Sequence, residues 1–153
     1  MIVRRAGLYD MAALARLYRH TVRTALPFLP ELHTADEDRA YFEGKLFADF
    51  DVWTAEEAGA PLGYIAFRGG FIQHLFVDPA HHGRGVGGQL LSLAQDAYAE
   101  LGLWTFQQNT KARAFYEARG FTARTLTDGQ DNEERLPDVF YVWKRNQTPP
   151  SDE

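Results

Sequence analysis

Apolar and polar positions recur along this chain with two different periods, and the period assigns most of the elements. Ile2 to Arg5 reads as a short first strand. Asp10 is placed to cap a helix, and Leu14, Leu17 and Tyr18 follow at helical spacing, which predicts a helix to about Arg23. Leu26-Pro27-Phe28-Leu29-Pro30 stops it, because its two prolines forbid a regular helix. Thr34 and Glu37 form a capping box that opens a second helix running to about Phe47. Asp51–Ala55 and Leu62–Phe67 read as a hairpin around the turn Glu57-Ala58-Gly59-Ala60-Pro61. Gly69-Gly70 then turns the chain into Phe71–Val77, a nearly continuous apolar run of the kind covered on both faces.

In the second half, apolar residues at 86, 90, 94, 97 and 101 make a one-sided helical stripe, with Gly102 in the position of a C-cap. Leu103–Phe106 is a short strand. Asn109 or Thr110 caps a further helix bearing Ala112, Phe115 and Tyr116, which Gly120 closes. Thr122–Thr127 is a strand, Asp128-Gly129 starts a turn, and Val139–Trp143 is the last strand. Strand–helix–strand units in this half predict parallel pairing inside a sheet whose first half is antiparallel. The expected fold is a mixed α/β single domain over residues 1–145, with a mostly antiparallel central sheet, one parallel splayed pair and helices on both faces. Residues 146–153 are expected to be a polar tail.

Composition narrows the function. The chain has 153 residues, a formal net charge of −5 and no cysteine. That rules out a disulfide scaffold, a thiol nucleophile and a thiolate metal site. An acidic balance argues against nucleic acid as partner and suits amine-bearing ones. No apolar run approaches membrane length, and the N-terminus lacks a signal-peptide core, so a cytoplasmic protein is expected. His20, His33, His81 and His82 show no metal-ligand spacing, so no metal is expected.

The informative stretch is His82-Gly83-Arg84-Gly85-Val86-Gly87-Gly88, between the apolar run and the striped helix. Each glycine costs backbone entropy. What several of them allow is close approach of a ligand to bare backbone amides. At a helix N-terminus those amides lack partners and favour anions such as a pyrophosphate. Arg84 adds a full charge. Gly83, Gly85 and Gly88 spell a dinucleotide fingerprint, but Pro79 intervenes after the strand and no carboxylate closes the next one. The Lys-Ser/Thr of a phosphate loop is also missing.

The same residues, with Leu75-Phe76-Val77-Asp78-Pro79 before them and Leu90-Leu91 after, resemble motif A of the GCN5-related N-acetyltransferases. His82 stands where that family's loop has Gln or Arg. Asn109, Ala112, Phe115, Tyr116, Glu117, Gly120 and Phe121 resemble its motif B. The resemblance implies an acetyl-CoA-dependent N-acetyltransferase. It implies that residues 82–88 hold the cofactor pyrophosphate and that Leu75, Phe76 and Val77 pair with the pantetheine like an added strand. An amide near Phe76 or Val77 would polarise the thioester carbonyl. Asn109, Ala112, Phe115 and Tyr116 would complete the cofactor site, with Asn109 also capping its helix. Tyr116 takes the place of the general acid, since a phenol is protonated at neutral pH. His74 is a candidate base because it titrates in the right range, with Gln73 on the opposite face of the strand.

The acceptor is expected to be the amine of a small molecule or peptide, bordered by Ala25–Leu32, the second helix and Asp128–Pro137. Glu31, Asp36, Glu37, Asp38, Glu133, Glu134 and Asp138 could attract its ammonium. Phe28, Tyr41, Phe42 and Trp104 are expected mostly in the core. A monomer or a homodimer is expected. A non-catalytic acyl-CoA sensor is the alternative from another class, and a nicotinamide-dinucleotide protein a third reading.

Overall fold

The computed structural model describes residues 1–146, and the expected tail at 146–153 lies outside them but for Asn146. In chain order come β1 (Ile2–Arg5), α1 (Met11–Ala25), α2 (Ala35–Tyr41), α3 (Phe47–Asp49), β2 (Asp51–Glu57), β3 (Ala60–Arg68) and β4 (Phe71–Val77). Then follow α4 (Val86–Ala97), β5 (Glu100–Phe106), α5 (Thr110–Glu117), β6 (Thr122–Thr127) and β7 (Asp138–Lys144). The seven strands form one sheet in the order β1-β2-β3-β4-β5-β7-β6. Every neighbouring pair is antiparallel except β4 with β5. This is the expected mixed sheet.

The sheet separates two cores. Along β3, Tyr64 and Ala66 face α1 and the π-turn Phe42–Leu46 that links α2 to α3, while Ile65 and Phe67 face α4. Strand alternation makes both faces apolar, so this stretch is buried on each side. Met11, Leu14 and Leu17 supply α1's stripe, each contributing about 1.5–3 kcal/mol by leaving water. The capping box at α2 forms as expected: Thr34 Oγ1 accepts from the Glu37 amide at 3.1 Å, and Glu37 Oε1 accepts from the Thr34 amide at 2.9 Å.

Two expectations are corrected. Helix α4 ends at Ala97, short of Gly102. Tyr98 leaves the helix at φ −132°, and the apolar Leu101 belongs to a strand. Gly102 serves β5 through its size: a Cβ there would meet Phe140 Cζ at 2.6 Å. Of the four aromatics expected in the core, Phe42 is 1% exposed, but Trp104 is 46% exposed and packs on Phe140 from outside.

The feature that positions the site is where pairing stops. β4 and β5 register only at Phe71↔Gly102 and Ile72↔Leu103. At the next position the β3–β4 register slips, leaving Gln73 as the bulged residue. Such a bulge bends its strand, and beyond it β4 and β5 splay apart.

Candidate active site

The gap between the splayed strands presents free backbone. The Asp78 amide donates to the Leu62 carbonyl at 2.8 Å, which fixes the phase of the β3–β4 ladder. By alternation Phe76 turns its backbone groups to Tyr64, and Leu75 and Val77 turn theirs to the gap. His82 Nε2–H donates to the Val77 carbonyl at 2.9 Å. The Leu75 amide and carbonyl and the Val77 amide are therefore the groups facing the gap. Of the two amides expected to polarise the carbonyl, near Phe76 or Val77, this phase turns Val77's to the gap and Phe76's away from it.

Past the gap lies the glycine loop. Gly83 and Gly85 adopt φ +81° and +80°, and a Cβ on either would meet open space. Left-handed backbone and an open side, rather than crowding, are what require glycine there. Among the described residues, no protein acceptor takes the amides of residues 83–88, and α4 starts on Gly85 without a side-chain cap. These unpaired donors at a helix N-terminus suit a phosphate-bearing ligand. Arg84 turns its guanidinium away, to Glu57 at 2.7 Å and His81 at 2.9 Å. The cations that do line this cleft with the loop are Lys111 and Arg119. The Arg119 guanidinium lies 3.8 Å over the Phe115 ring, beside Gly88. Sequence reasoning missed both. Arg119 sits just before the glycine that ends α5, and helical spacing from Phe115 is the signal that could have found it.

Two cavities meet at the gap. The larger, about 810 Å³, holds the glycine loop, Val77 and Phe115. The smaller, about 430 Å³, opens between α1, the loop after it and the β6–β7 loop. They share Leu26, Leu75, Phe76, Asn109, Ala112 and Tyr116. Asn109 Oδ1 accepts from the Ala112 amide at 3.2 Å, so the side chain caps α5 as expected. Tyr116 is 7% exposed and is held by Phe115, Phe121 and Tyr141. Burial pushes its phenol well above the ordinary value, so it stays protonated.

His74 lines neither cavity. Its ring stacks on Tyr18 at 5.2 Å, beside Tyr41 and Phe42, and its Nδ1 is 3.0 Å from the Tyr64 hydroxyl. Burial pushes its pKa down to about 4. A neutral imidazole in an aromatic nest is a packing group, and the expectation of a base at His74 is corrected accordingly. Its neighbour Gln73 faces solvent and donates to the Tyr41 hydroxyl at 3.3 Å.

The smaller cavity carries the charges. Glu31, Asp38, Glu133 and Glu134 line it with Arg19, Arg23 and His33, whereas Asp36, Glu37 and Asp138 do not. His33 and Glu133 form an ion pair that joins the loop before α2 to the loop after β6. The pair raises the His33 pKa, chiefly through the hydrogen bond. A raised value means that His33 keeps the charge the clasp needs to a higher pH than an unpaired imidazole would, and the clasp opens as pH climbs through the shifted value. An NMR titration should find His33 titrating above the ordinary value of about 6.5 and Glu133→Gln returning it downward. A wild-type His33 that titrates no higher than in the variant rules the clasp out.

Comparison with known proteins agrees with this geometry. The family model described as an acetyltransferase (GNAT) domain matches residues 48–123. The L-amino acid N-acyltransferase MnaT of Escherichia coli (strain K12) is 32% identical over 136 residues, covering 79% of this chain and 79% of its own. The peptidyl-lysine N-acetyltransferase YiaC of the same organism is 28% identical over 148 residues, covering 96% and 99%. The structure of yncA from Salmonella typhimurium with its cofactor acetyl-CoA shares the fold at a TM-score of 0.71 and 23% identity, covering 99% of this chain and 98% of that one.

Proposed function

The chain belongs to the GCN5-related N-acetyltransferase family, acyltransferases whose donor is acetyl-CoA, and on that premise we propose that it acetylates the primary amine of a small molecule or peptide by direct attack on the thioester. The observation that carries the reading is the junction of the two cavities, where free strand backbone, a capping amide and a buried phenol converge.

Bound acetyl-CoA supplies an acyl carbon activated as a thioester. The amides of residues 83–88, with Lys111 and Arg119 beside them, hold its phosphates. Leu75 and Val77 receive the pantetheine as an added strand, and the Val77 amide donates to the acyl oxygen, where negative charge grows. Asn109 lines both cavities and keeps Oδ1 on its helix cap, which leaves its amide N–H₂ as the group to donate to the bound cosubstrate. Tyr116 gives its proton to the departing sulfur, and the proton that the attacking nitrogen sheds as the amide forms restores the phenol. The attacking amine enters from the smaller cavity after losing a proton, and Glu134 is the carboxylate there without a basic partner.

The protein mixed with acetyl-CoA and a panel of amines should release free thiol with at least one of them, and mass spectrometry should find the acetylated amine. Binding of acetyl-CoA with no transfer across amino acids, polyamines and lysine peptides would favour the acyl-CoA sensor.

A further inference from the structure

The acceptor cavity also bears on what the amine carries, an inference that rests on the transferase reading. Arg19 lines it from α1, with its side chain 23% exposed. One nitrogen makes all of its bonds. Nη1 donates to Asp38 Oδ2 at 3.0 Å and to the His33 carbonyl at 3.1 Å, which fixes the guanidinium in place. Among the described residues no acceptor takes a hydrogen bond from Nε or Nη2. Glu31 comes no closer than 3.9 Å, beyond hydrogen-bond reach, and pairs with Arg23 instead. Both nitrogens are accessible, since among the described residues the only side-chain atoms both buried and without a hydrogen bond are Thr21 Oγ1 and Glu134 Oε2. Nε and Nη2 form one edge of the guanidinium, and two parallel N–H groups on an edge match the two oxygens of a carboxylate. The chain uses that edge elsewhere: Arg4 holds Glu56 through Nε at 3.0 Å and Nη2 at 3.1 Å. At Arg19 no carboxylate of the chain takes it.

The rest of the lining sets what else that ligand bears. Its carboxylates outnumber its guanidinium groups, which favours an ammonium near the bound carboxylate over a second anion. Val22, Leu29, Leu32 and Phe106 offer an apolar wall for a side chain. An amine without a carboxylate leaves the Arg19 edge unpaired, whereas one that carries a carboxylate pairs it and displaces neither Asp38 nor Glu31. We propose that Arg19 holds the acceptor's carboxylate through Nε and Nη2, and that the cavity selects a free amino acid with an apolar side chain over an amine that lacks a carboxylate.

Calorimetry and thiol release with the full chain decide this, using leucine, leucinamide and Nα-acetyl-lysine methylamide as probes, with CoA present for the binding arm. Leucine should be favoured over both amides by about tenfold or more, since hydrogen bonds to charged groups carry effects of that size. Arg19→Lys keeps a cation for Asp38 but loses the two-pronged edge. It should raise KM for leucine by a similar factor, while kcat, CoA affinity and the use of leucinamide stay put. A merely structural role for Arg19 would penalise leucine and leucinamide alike. Equal or better use of either amide, binding of none of the probes, or a leucine preference that survives Arg19→Lys overturns the proposal. The wild-type preference alone tests it should the variant misfold. Absence of thiol release with every amine sinks the transferase reading instead, and the calorimetric preference still decides the role of Arg19.

Discussion

Gly88→Glu should weaken acetyl-CoA binding by about a hundredfold or more while Tm holds or rises. Gly88 sits in the first turn of α4, where a Cβ would lie 3.4 Å from the tip of Arg119, a side chain free to yield. Replacing a helical glycine gains about 0.5–1 kcal/mol, and a carboxylate in a first helical turn adds about 0.3–1 kcal/mol. Both terms favour the fold. The same carboxylate enters the cradle of amides at residues 83–88 and claims Arg119, so it repels a pyrophosphate and removes a cation. A hundredfold loss corresponds to about 2.7 kcal/mol, which is modest for an anion set against a second anion. Opposite signs in stability and binding separate this outcome from simple misfolding. Calorimetry with acetyl-CoA and a thermal melt read the two. A dissociation constant within a few-fold of wild type would falsify the phosphate cradle.

What the sequence carries locally was legible in it. The Thr34–Glu37 box and the glycine loop are each decided within a few residues and form as expected, whereas the two-sided burial expected of Phe71–Val77 falls on β3, because β4 loses its β5 partner beyond Ile72. What failed depends on tertiary phase. Arg84 lies inside the loop in sequence, yet its side chain leaves the cleft for Glu57, 27 positions away. Arg119 enters the same cleft from another helix. His74 and Leu75 are neighbours, but strand alternation sends one into the nest of Tyr18 and Phe42 and the other to the gap. The ladder phase that excludes the Phe76 amide comes from the Asp78–Leu62 bond, a contact no local pattern encodes. On the acceptor side, composition offered seven carboxylates of equal merit. Only the fold, by pairing Asp38 with Arg19, Glu31 with Arg23 and Glu133 with His33, leaves Glu134 distinct.

Tyr116→Phe should lower kcat by about a hundredfold or more and leave acetyl-CoA affinity unchanged, because general acids contribute about 10²–10⁴-fold. The ring keeps its packing against Phe121 at 5.3 Å and Tyr141 at 6.2 Å, so the change is confined to one hydroxyl. The pH profile follows from the sign of the shift. Burial raises the phenol's pKa, so the donating form persists at every pH below the ordinary value of about 10. The variant should therefore show the wild-type profile at a lower plateau, with no limb lost or gained. A donor thioester made from a more acidic thiol needs less help to leave. The variant should recover most of its deficit with such a donor, whereas damage to binding or geometry would penalise both donors alike. Equal deficits would move the proton donor elsewhere, and unchanged turnover with acetyl-CoA would leave Tyr116 as a packing residue between the two cavities.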